Sequence, residues 1–388
     1  MLLLLQKKYI SSILLFIFIG FLSCKNEQKE PPLEFANGTS VPLKYAKGFS
    51  VTQFKNYKVL EIKNPWPKSE KSYRYVLINK ENAAKTTFMR DEFDGIITNP
   101  IERIVVTSTT HIPGLELLNE ENTLVGFPGT KYVSSEKVRT RIDNESIREL
   151  GKNEGINTEV LLELNPELVV AFGIDGNNKS LDNISKSGIP VVFNGDWVEE
   201  SPLAKAEWIK FFGALYNKEK QADSIFNHIE TEYLNAKKIA KNVAHKPTIL
   251  SGAMHNDVWY LPNGTSTEAQ LLRDANTHYL WEDTEGTGSL HLNFESVFMK
   301  AKNAEIWLSP SNYSSLESLK DSNEHNAEFD AFKNKNIYTA NNTTGATGGV
   351  LYFEQGMSRP DLVLKDLIKI CHPELQPNYD LYFFKPLK

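Results

Sequence analysis

Apolar and polar residues follow different rhythms in different parts of this chain. Between about residues 45 and 97 the rhythm is close to two. Residues 49–54 and 57–62 nearly alternate, residues 73–78 continue the pattern, and Asn64-Pro65-Trp66-Pro67 interrupts it. Period two is the mark of a half-buried strand, so a small strand-rich segment over residues 36–98 is expected. From Ile101 onward the pattern becomes short apolar runs separated by helical stretches. Residues 104–106, 123–127, 168–172 and 189–193 are such runs. Strands buried on both faces read this way, and helices between them make a parallel sheet. An N-terminal α/β lobe over 99–202 follows. Ala222, Ile225, Phe226, Ile229, Tyr233 and Ala240 then recur near the helical period. They predict one long helix over 203–246, stopped at Lys246-Pro247, because the residue before a proline is driven out of the helical region. Runs at 247–251, 258–260, 305–308 and 336–338 predict a second α/β lobe over 247–388.

The two halves carry an internal echo. Asn157-Thr158-Glu159 leads through a helical stretch to the apolar strand at Leu168, and Asn293-Phe294-Glu295 leads likewise to Ile306. The second copy is longer between Glu and strand, so the two rhyme without forming a strict repeat.

The first 24 residues differ in kind. Lys7 and Lys8 precede an apolar run that Cys24 closes, the pattern of a signal peptide and too short for a membrane span. Phe21-Leu22-Ser23-Cys24 resembles a bacterial lipobox, with Phe and Leu departing from the usual first two residues. That resemblance implies lipidation at Cys24 and a membrane anchor outside the cytoplasm, at a periplasmic or surface location. Residues 25–35 are polar and proline-bearing, a solvated tether. With Cys24 lipidated, Cys371 has no partner, and its apolar neighbours predict a buried, inert thiol. The net charge is only −6 over 388 residues, so there is no basic field for nucleic acid.

The layout and its wording resemble the ferric-siderophore and cobalamin class of periplasmic ABC-transporter substrate-binding proteins. The resemblance covers residues 101–388. It is carried by Arg103-Ile-Val-Val-Thr-Ser-Thr-Thr-His-Ile-Pro-Gly, the stretch from Glu149-Leu-Gly to Asn165-Pro-Glu-Leu-Val-Val, the opening of the long helix at Leu203, and Arg359-Pro-Asp with Cys371-His-Pro near the end. It implies two Rossmann-like α/β lobes joined by one long rigid helix, with the small strand-rich N-terminal segment lying outside the family core. A lipid-anchored protein of this kind captures a small-molecule metal chelate, either an iron complex or a corrinoid, and hands it to an ABC transporter permease. It performs no chemistry and carries no cofactor or metal of its own. Loops at strand ends are the expected ligand contacts. In the first lobe these are Thr109, Thr110, His111, Tyr132, Arg141 and Trp197, with Arg141 pairing with ligand charge; in the second they are His255, Trp259, Tyr313 and Tyr352. The resemblance also assigns Glu159 and Glu295 to permease docking, although a Glu two residues after an Asn equally suits the first turn of a helix.

Competing classes are constrained by what is missing. No Gly-x-Ser-x-Gly, Walker loop, Cys-x-x-Cys or His-Glu-x-x-His occurs, and the run from Thr343 to Gly349 lacks phosphate-loop spacing and reads as a cleft-edge loop. The eight histidines are scattered, against a bare-metal site. A secreted α/β hydrolytic enzyme and a heme-binding lipoprotein remain the alternatives, and the ligand stays open among ferric siderophore, heme and corrinoid.

Overall fold

A computed structural model describes residues 38–83, 92–310 and 313–388. The expectations for residues 1–35, Cys24 among them, lie outside the described residues. Strands β1 (Thr39–Ser40), β2 (Phe49–Gln53), β3 (Tyr57–Lys63), β4 (Ser72–Asn79) and β5 (Gly95–Asn99) form a five-stranded sheet in that order. It is antiparallel until β5 joins β4 in parallel. Along β2 Phe49 and Val51 are buried while Ser50 and Thr52 are only half-buried, as period two requires. Phe49, Leu60, Tyr75 and Ile97 share one core with Ile104, Val106 and Leu124, so this segment is packed into the first lobe and is not a detachable module.

The first lobe is built on β6 (Ile104–Val106), β7 (Leu124–Phe127), β8 (Arg148–Glu149), a small hairpin of β9 (Gly151–Lys152) and β10 (Gly155–Ile156), then β11 (Leu168–Ala171) and β12 (Val191–Phe193). The main sheet is parallel in the order β12-β11-β6-β7-β8. Helix α1 (Thr158–Leu164) leads into β11, its first turn capped by Asn157, whose Oδ1 accepts the Val160 N–H at 3.2 Å.

The connection between lobes is α2 (Pro202–Ala206), α3 (Ile209–Leu215) and α4 (Glu219–Ala240), which corrects the expectation of one helix over 203–246. The apolar residues run on across the breaks because α2 and α3 are buried on nearly all sides, so periodicity hides them. Polar residues make the breaks. Glu207 turns its carboxylate inward, and Asn217 adopts φ 56°, ending α3. The Asn217 side chain then accepts from Lys58 and Asn99, both at 2.8 Å, and donates to Asn79.

The second lobe holds β13 (Thr248–Ser251), β14 (Ala253–His255), β15 (Val258–Pro262), α5 (Thr267–Asp274), β16 (His278–Tyr279), β17 (Ser289–Leu292), α6 (Phe294–Ala301), β18 (Ile306–Leu308), β19 (Ile337–Thr339), α7 (Leu351–Gln355), α8 (Pro360–Cys371) and β20 (Lys385–Pro386). Its sheet runs β16-β13-β18-β19-β20, parallel except for β20, and β14-β15-β17 form a separate antiparallel ribbon. Cys371 is buried on α8, and burial pushes its thiol pKa up. Among the described residues no helix is long and apolar enough to cross a membrane.

The lobes also meet along a seam. The Ser134 N–H donates to Glu354 Oε2 at 2.6 Å, and the Thr347 hydroxyl donates to the Lys131 carbonyl at 2.9 Å. Gly349 is required there, since a Cβ would stand 2.1 Å from the Tyr132 carbonyl oxygen. The glycine-rich run is thus a close-packed contact between lobes. Glu354 is almost wholly buried on α7; burial first, and then the nearby Glu116, raise its pKa to about 7.

Two outcomes follow from this packing. Glu207 is fully buried and accepts the N–H groups of Lys44, Tyr45 and Ala46 while pairing with Lys210 at 3.0 Å. Glu207→Ala leaves those donors unpaired, and urea unfolding is expected to read a loss of about 3–5 kcal/mol; a loss below about 1 kcal/mol would refute the clamp. Glu354 holds its proton in the folded state up to about pH 7, whereas an unfolded glutamic acid loses it near its ordinary value. The stability linked to this group is therefore full at acid pH and is lost as pH rises through 7, by on the order of 2 kcal/mol. Glu354→Gln should shallow the fall in urea midpoint between pH 5 and 8. An unchanged slope would show that the seam carboxyl does not titrate there.

Candidate functional site

Parallel strands present their C-terminal ends to one side of a sheet, and in open α/β sheets that edge is where ligands sit. In the second lobe Ser251 ends β13 and Gly252 follows it, Ser309 follows β18, and Ala340 and Asn341 follow β19. All of them line one cavity of about 750 Å³. The opposing wall comes from the first lobe, where Trp197, Val198, Glu199 and Glu200 follow β12 and Lys205 stands on α2. Pro67 of the N-terminal sheet closes one edge. The floor is apolar, with Leu261, Leu271, Leu272, Val363, Leu367 and Phe384, and polar groups ring it, among them Thr267, Glu268 and Ser289. A concave, mostly apolar space with a few placed polar groups is the usual form of a small-molecule site.

Backbone geometry shapes this wall. Gly252 has φ 76°, and a Cβ there would lie 1.8 Å from the Tyr260 carbonyl oxygen. Its N–H donates to the Leu308 carbonyl at 3.1 Å, and Ser309, at φ 54°, donates to the Tyr338 carbonyl at 2.8 Å. Both strand ends therefore turn sharply where they reach the cavity. On the other side the Glu199 carboxylate accepts the Gly48 N–H at 2.8 Å and the Trp208 indole N–H at 3.0 Å. Burial raises the Glu199 pKa, and the amides of Gly48 and Lys47 and the Trp208 indole act against that rise. Asp196, one residue before Trp197, is buried, and desolvation lifts its pKa to about 7 against the opposing field of Lys205.

Of the expected ligand contacts, Trp197 and Tyr352 line this cavity. The Trp197 ring lies against Phe172 at 5.4 Å, and burial raises the Tyr352 phenol. The other expected contacts do not line it, each for an identifiable reason. Trp259 belongs to the core, stacked on Trp307 at 5.5 Å with its indole N–H on the Ser251 carbonyl at 3.0 Å. Its strand neighbour Tyr260 faces the cavity instead, because successive side chains of a strand point to opposite sides. His111 is fully buried near Phe212, and desolvation lowers its pKa to about 3, which keeps it neutral. Thr109 and Thr110 share its short turn, where the Ser108 hydroxyl caps the Thr110 N–H. Arg141 spends its guanidinium on the carbonyls of Glu121 and Leu124, so it ties its own helix to the strand entry, away from the cavity lining. Tyr132 is 59% exposed beneath the Lys131 ammonium, which lies 4.9 Å from its ring centroid. His255 is exposed at a hairpin turn beside Asn256, and Tyr313 packs against the second-lobe core.

The Asn-Glu echo has a structural counterpart. Glu159 and Glu295 are exposed in the first turns of α1 and α6, and Asn293 caps α6 by accepting the Ser296 N–H at 2.9 Å, as Asn157 does for α1. One turn further, Leu162 and Met299 are 48% and 87% exposed. Among the described residues no cluster of His, Cys, Asp and Glu could hold a metal ion.

Sequence reading missed Lys205, Tyr260, Glu268, Ser309 and Asn341. Ser309 and Asn341 had a signal, since each stands just beyond a predicted strand. Lys205 and Glu268 sit on helices whose approach to the cavity only the packed fold determines.

The sequence profile of the periplasmic binding protein family matches residues 104–344. An uncharacterized lipoprotein of Methanocaldococcus jannaschii is 28% identical over 375 residues, covering 91% of this chain and 87% of that one. Among solved structures, a possible iron-binding periplasmic solute-binding protein from Staphylococcus epidermidis aligns with TM-score 0.55 at 18% identity, over 71% of this chain and all of the other. A periplasmic heme-binding protein of Vibrio cholerae aligns at 0.52 and 17%, over 68% of this chain and 99% of that one. At such identities the structural likeness is one of fold. The matched span contains the parallel strands of both sheets that build the cavity, and the chain belongs to the periplasmic binding protein family, the solute-binding components of ABC transporters.

Proposed function

We propose that this protein is a lipid-anchored carrier that captures a metal complex, a ferric siderophore or a corrinoid, between its lobes and delivers it to the permease of an ABC importer. The observation that carries this reading is the cavity of about 750 Å³ at the C-terminal strand ends of the second lobe, faced by Trp197. Its size and apolar floor suit a bulky ligand with hydrocarbon surface. The iron-binding and heme-binding descriptions of the structural neighbours favour a metal complex over a simple nutrient. The lipoprotein relative supports the anchor at Cys24 and a periplasmic or surface location.

Docking is assigned to Glu159 and Glu295, one on each lobe. Each exposes a carboxylate and, one turn on, a large apolar side chain, Leu162 or Met299. Paired charges fix orientation and speed encounter more than they add affinity. The alternative of a hydrolytic enzyme has no observation in its favour.

Purification from its own cells without added ligand tests the carrier reading. Native protein from membranes, and a Cys24→Ala variant from the soluble fraction, should both hold a chromophore and mass matching an iron complex or corrinoid. Repeated recovery of some other class of small molecule would overturn the ligand class. The double reversal Glu159→Lys with Glu295→Lys should retain that bound species and an unchanged unfolding midpoint while uptake falls to background. Wild-type uptake by this variant would leave both residues as helix-start carboxylates only.

A further inference from the structure

Among the described residues that line the cavity, the charged ones are Glu199, Glu200, Lys205 and Glu268, and two of these have partners. Glu199 is buried and accepts from the amides of Lys47 and Gly48 and from the Trp208 indole. Glu200 has the Lys47 ammonium beside it at 3.4 Å. Lys205 and Glu268 are different, since the side chain of neither makes a hydrogen bond or ion pair with another described residue. Lys205 acts on the buried Asp196 only through its field. That carboxyl keeps Oδ1 unpartnered, and burial lifts its pKa to about 7, so it is no counter-ion that holds the lysine. Glu268 is exposed in the first turn of α5, and its field reaches the Tyr352 phenol in the cavity wall.

The two unpaired charges stand on walls that meet. Lys205 is on α2 of the connector and Glu268 on α5 of the second lobe, and these helices touch. A free ammonium and a free carboxylate in a mostly apolar space therefore offer one place for a negative group and one for a positive group. A ligand with only one of these groups leaves the other wall's charge facing its hydrocarbon, at a cost. A ligand with both pairs each charge, and charge-assisted hydrogen bonds are the strong ones. The net charge of its two pendant groups is zero, so a lining without overall charge bias can still select it. We infer that the cavity reads a dipolar cargo, a metal complex that bears both a pendant carboxylate, for Lys205, and a pendant ammonium, for Glu268. This rests on the carrier reading above and narrows it by the pendant groups of the chelate.

Complexes built on one ferric trihydroxamate core separate the two contacts, with binding followed by quenching of tryptophan fluorescence in ligand-stripped protein, because Trp197 lines the cavity. Ferrioxamine B carries an ammonium alone, its N-succinyl derivative a carboxylate alone, its N-acetyl derivative neither, and ferrioxamine G both. Ferrioxamine G should bind about tenfold or more tighter than the N-acetyl derivative, with the two singly charged complexes between them. Lys205→Met should erase the advantage of ferrioxamine G over ferrioxamine B and keep that of ferrioxamine B over its N-acetyl derivative. Glu268→Gln should erase the advantage of ferrioxamine G over the N-succinyl derivative and keep that of the N-succinyl over the N-acetyl derivative. Neither side chain has a partner in the fold, so both variants should unfold at the wild-type urea midpoint. Equal affinity across the four complexes, tightest binding of the N-acetyl derivative, or a ranking unmoved by both variants would overturn the dipolar inference and leave the carrier reading standing. If none of the four binds, the inference falls too, and the carrier reading falls with it only when cyanocobalamin and hemin are also refused.

Discussion

The molecule depends on one apolar stripe shared between two cores. Along α4, Ala222, Phe226 and Ile229 are buried with the first lobe, and Tyr233, Ala236 and Ala240 with the second. Residues three and four apart lie on one helix face, so the handover from one core to the other falls within about one turn, roughly 6 Å of rise. Neither lobe alone would cover that face. The Tyr233 hydroxyl donates to Asp274 at 2.7 Å, and Lys237 pairs with the same carboxylate at 2.8 Å, so the second half of the helix is fixed by polar bonds as well as by packing. The distance between lobes, and with it the width of the cavity, is therefore set by a rigid rod.

A second constraint gives the N-terminal sheet its purpose. Residues 44–48 are caught by two carboxylates, Glu207 of the connector for Lys44 to Ala46 and Glu199 of the first lobe for Lys47 and Gly48. Glu199 also lines the cavity, so the same side chain that anchors the added sheet supports the cavity wall. Trp66 packs edge-on to Phe193 at 5.2 Å, at the end of β12, and its neighbour Pro67 reaches the cavity. Lys44 and Tyr45 also bind Glu230 on α4, at 2.5 and 2.8 Å. The sheet thus braces both the rod and the wall.

This division explains what could be read from the chain. Alternation and apolar runs report burial, and they located the strands at Phe49, Ile104, Leu168 and Ile306 because burial is what those residues do. The breaks in the connector escaped for the same reason: Glu207 and Asn217 act through hydrogen bonds to residues far away in sequence, and no local period records that. The site was legible only in part. Trp197 lies in the turn beyond β12, where a loop position is informative, whereas Tyr352 stands on α7. Trp259 and Tyr260 were exchanged, since a strand offers each side chain to one of two faces and only the packed sheet decides which is the core. Arg141 and His111 looked like ligand groups by residue type, yet one is consumed by backbone carbonyls and the other is sealed beneath Phe212 and α7.

Discrimination by such a site has to reside in walls that are already in place. Opening the lobes would shear the shared stripe of α4 and expose the seam where Glu354 meets the Ser134 amide and Gly349 meets the Tyr132 carbonyl. The first is a buried hydrogen bond whose loss leaves the Ser134 amide unpaired, at a cost of about 1–3 kcal/mol, and the second is a close backbone packing contact. The strand ends are equally fixed. Ser309 holds a left-handed backbone that costs a non-glycine residue about 1 kcal/mol, and the neighbouring left-handed turn at Gly252 admits no side chain at all. Strain of that kind persists only where surrounding packing enforces it, and here it stands in the cavity wall, at strand ends that stay hydrogen-bonded to their neighbours. A wall held so firmly adapts little, so the shape of the cavity is set before anything enters it.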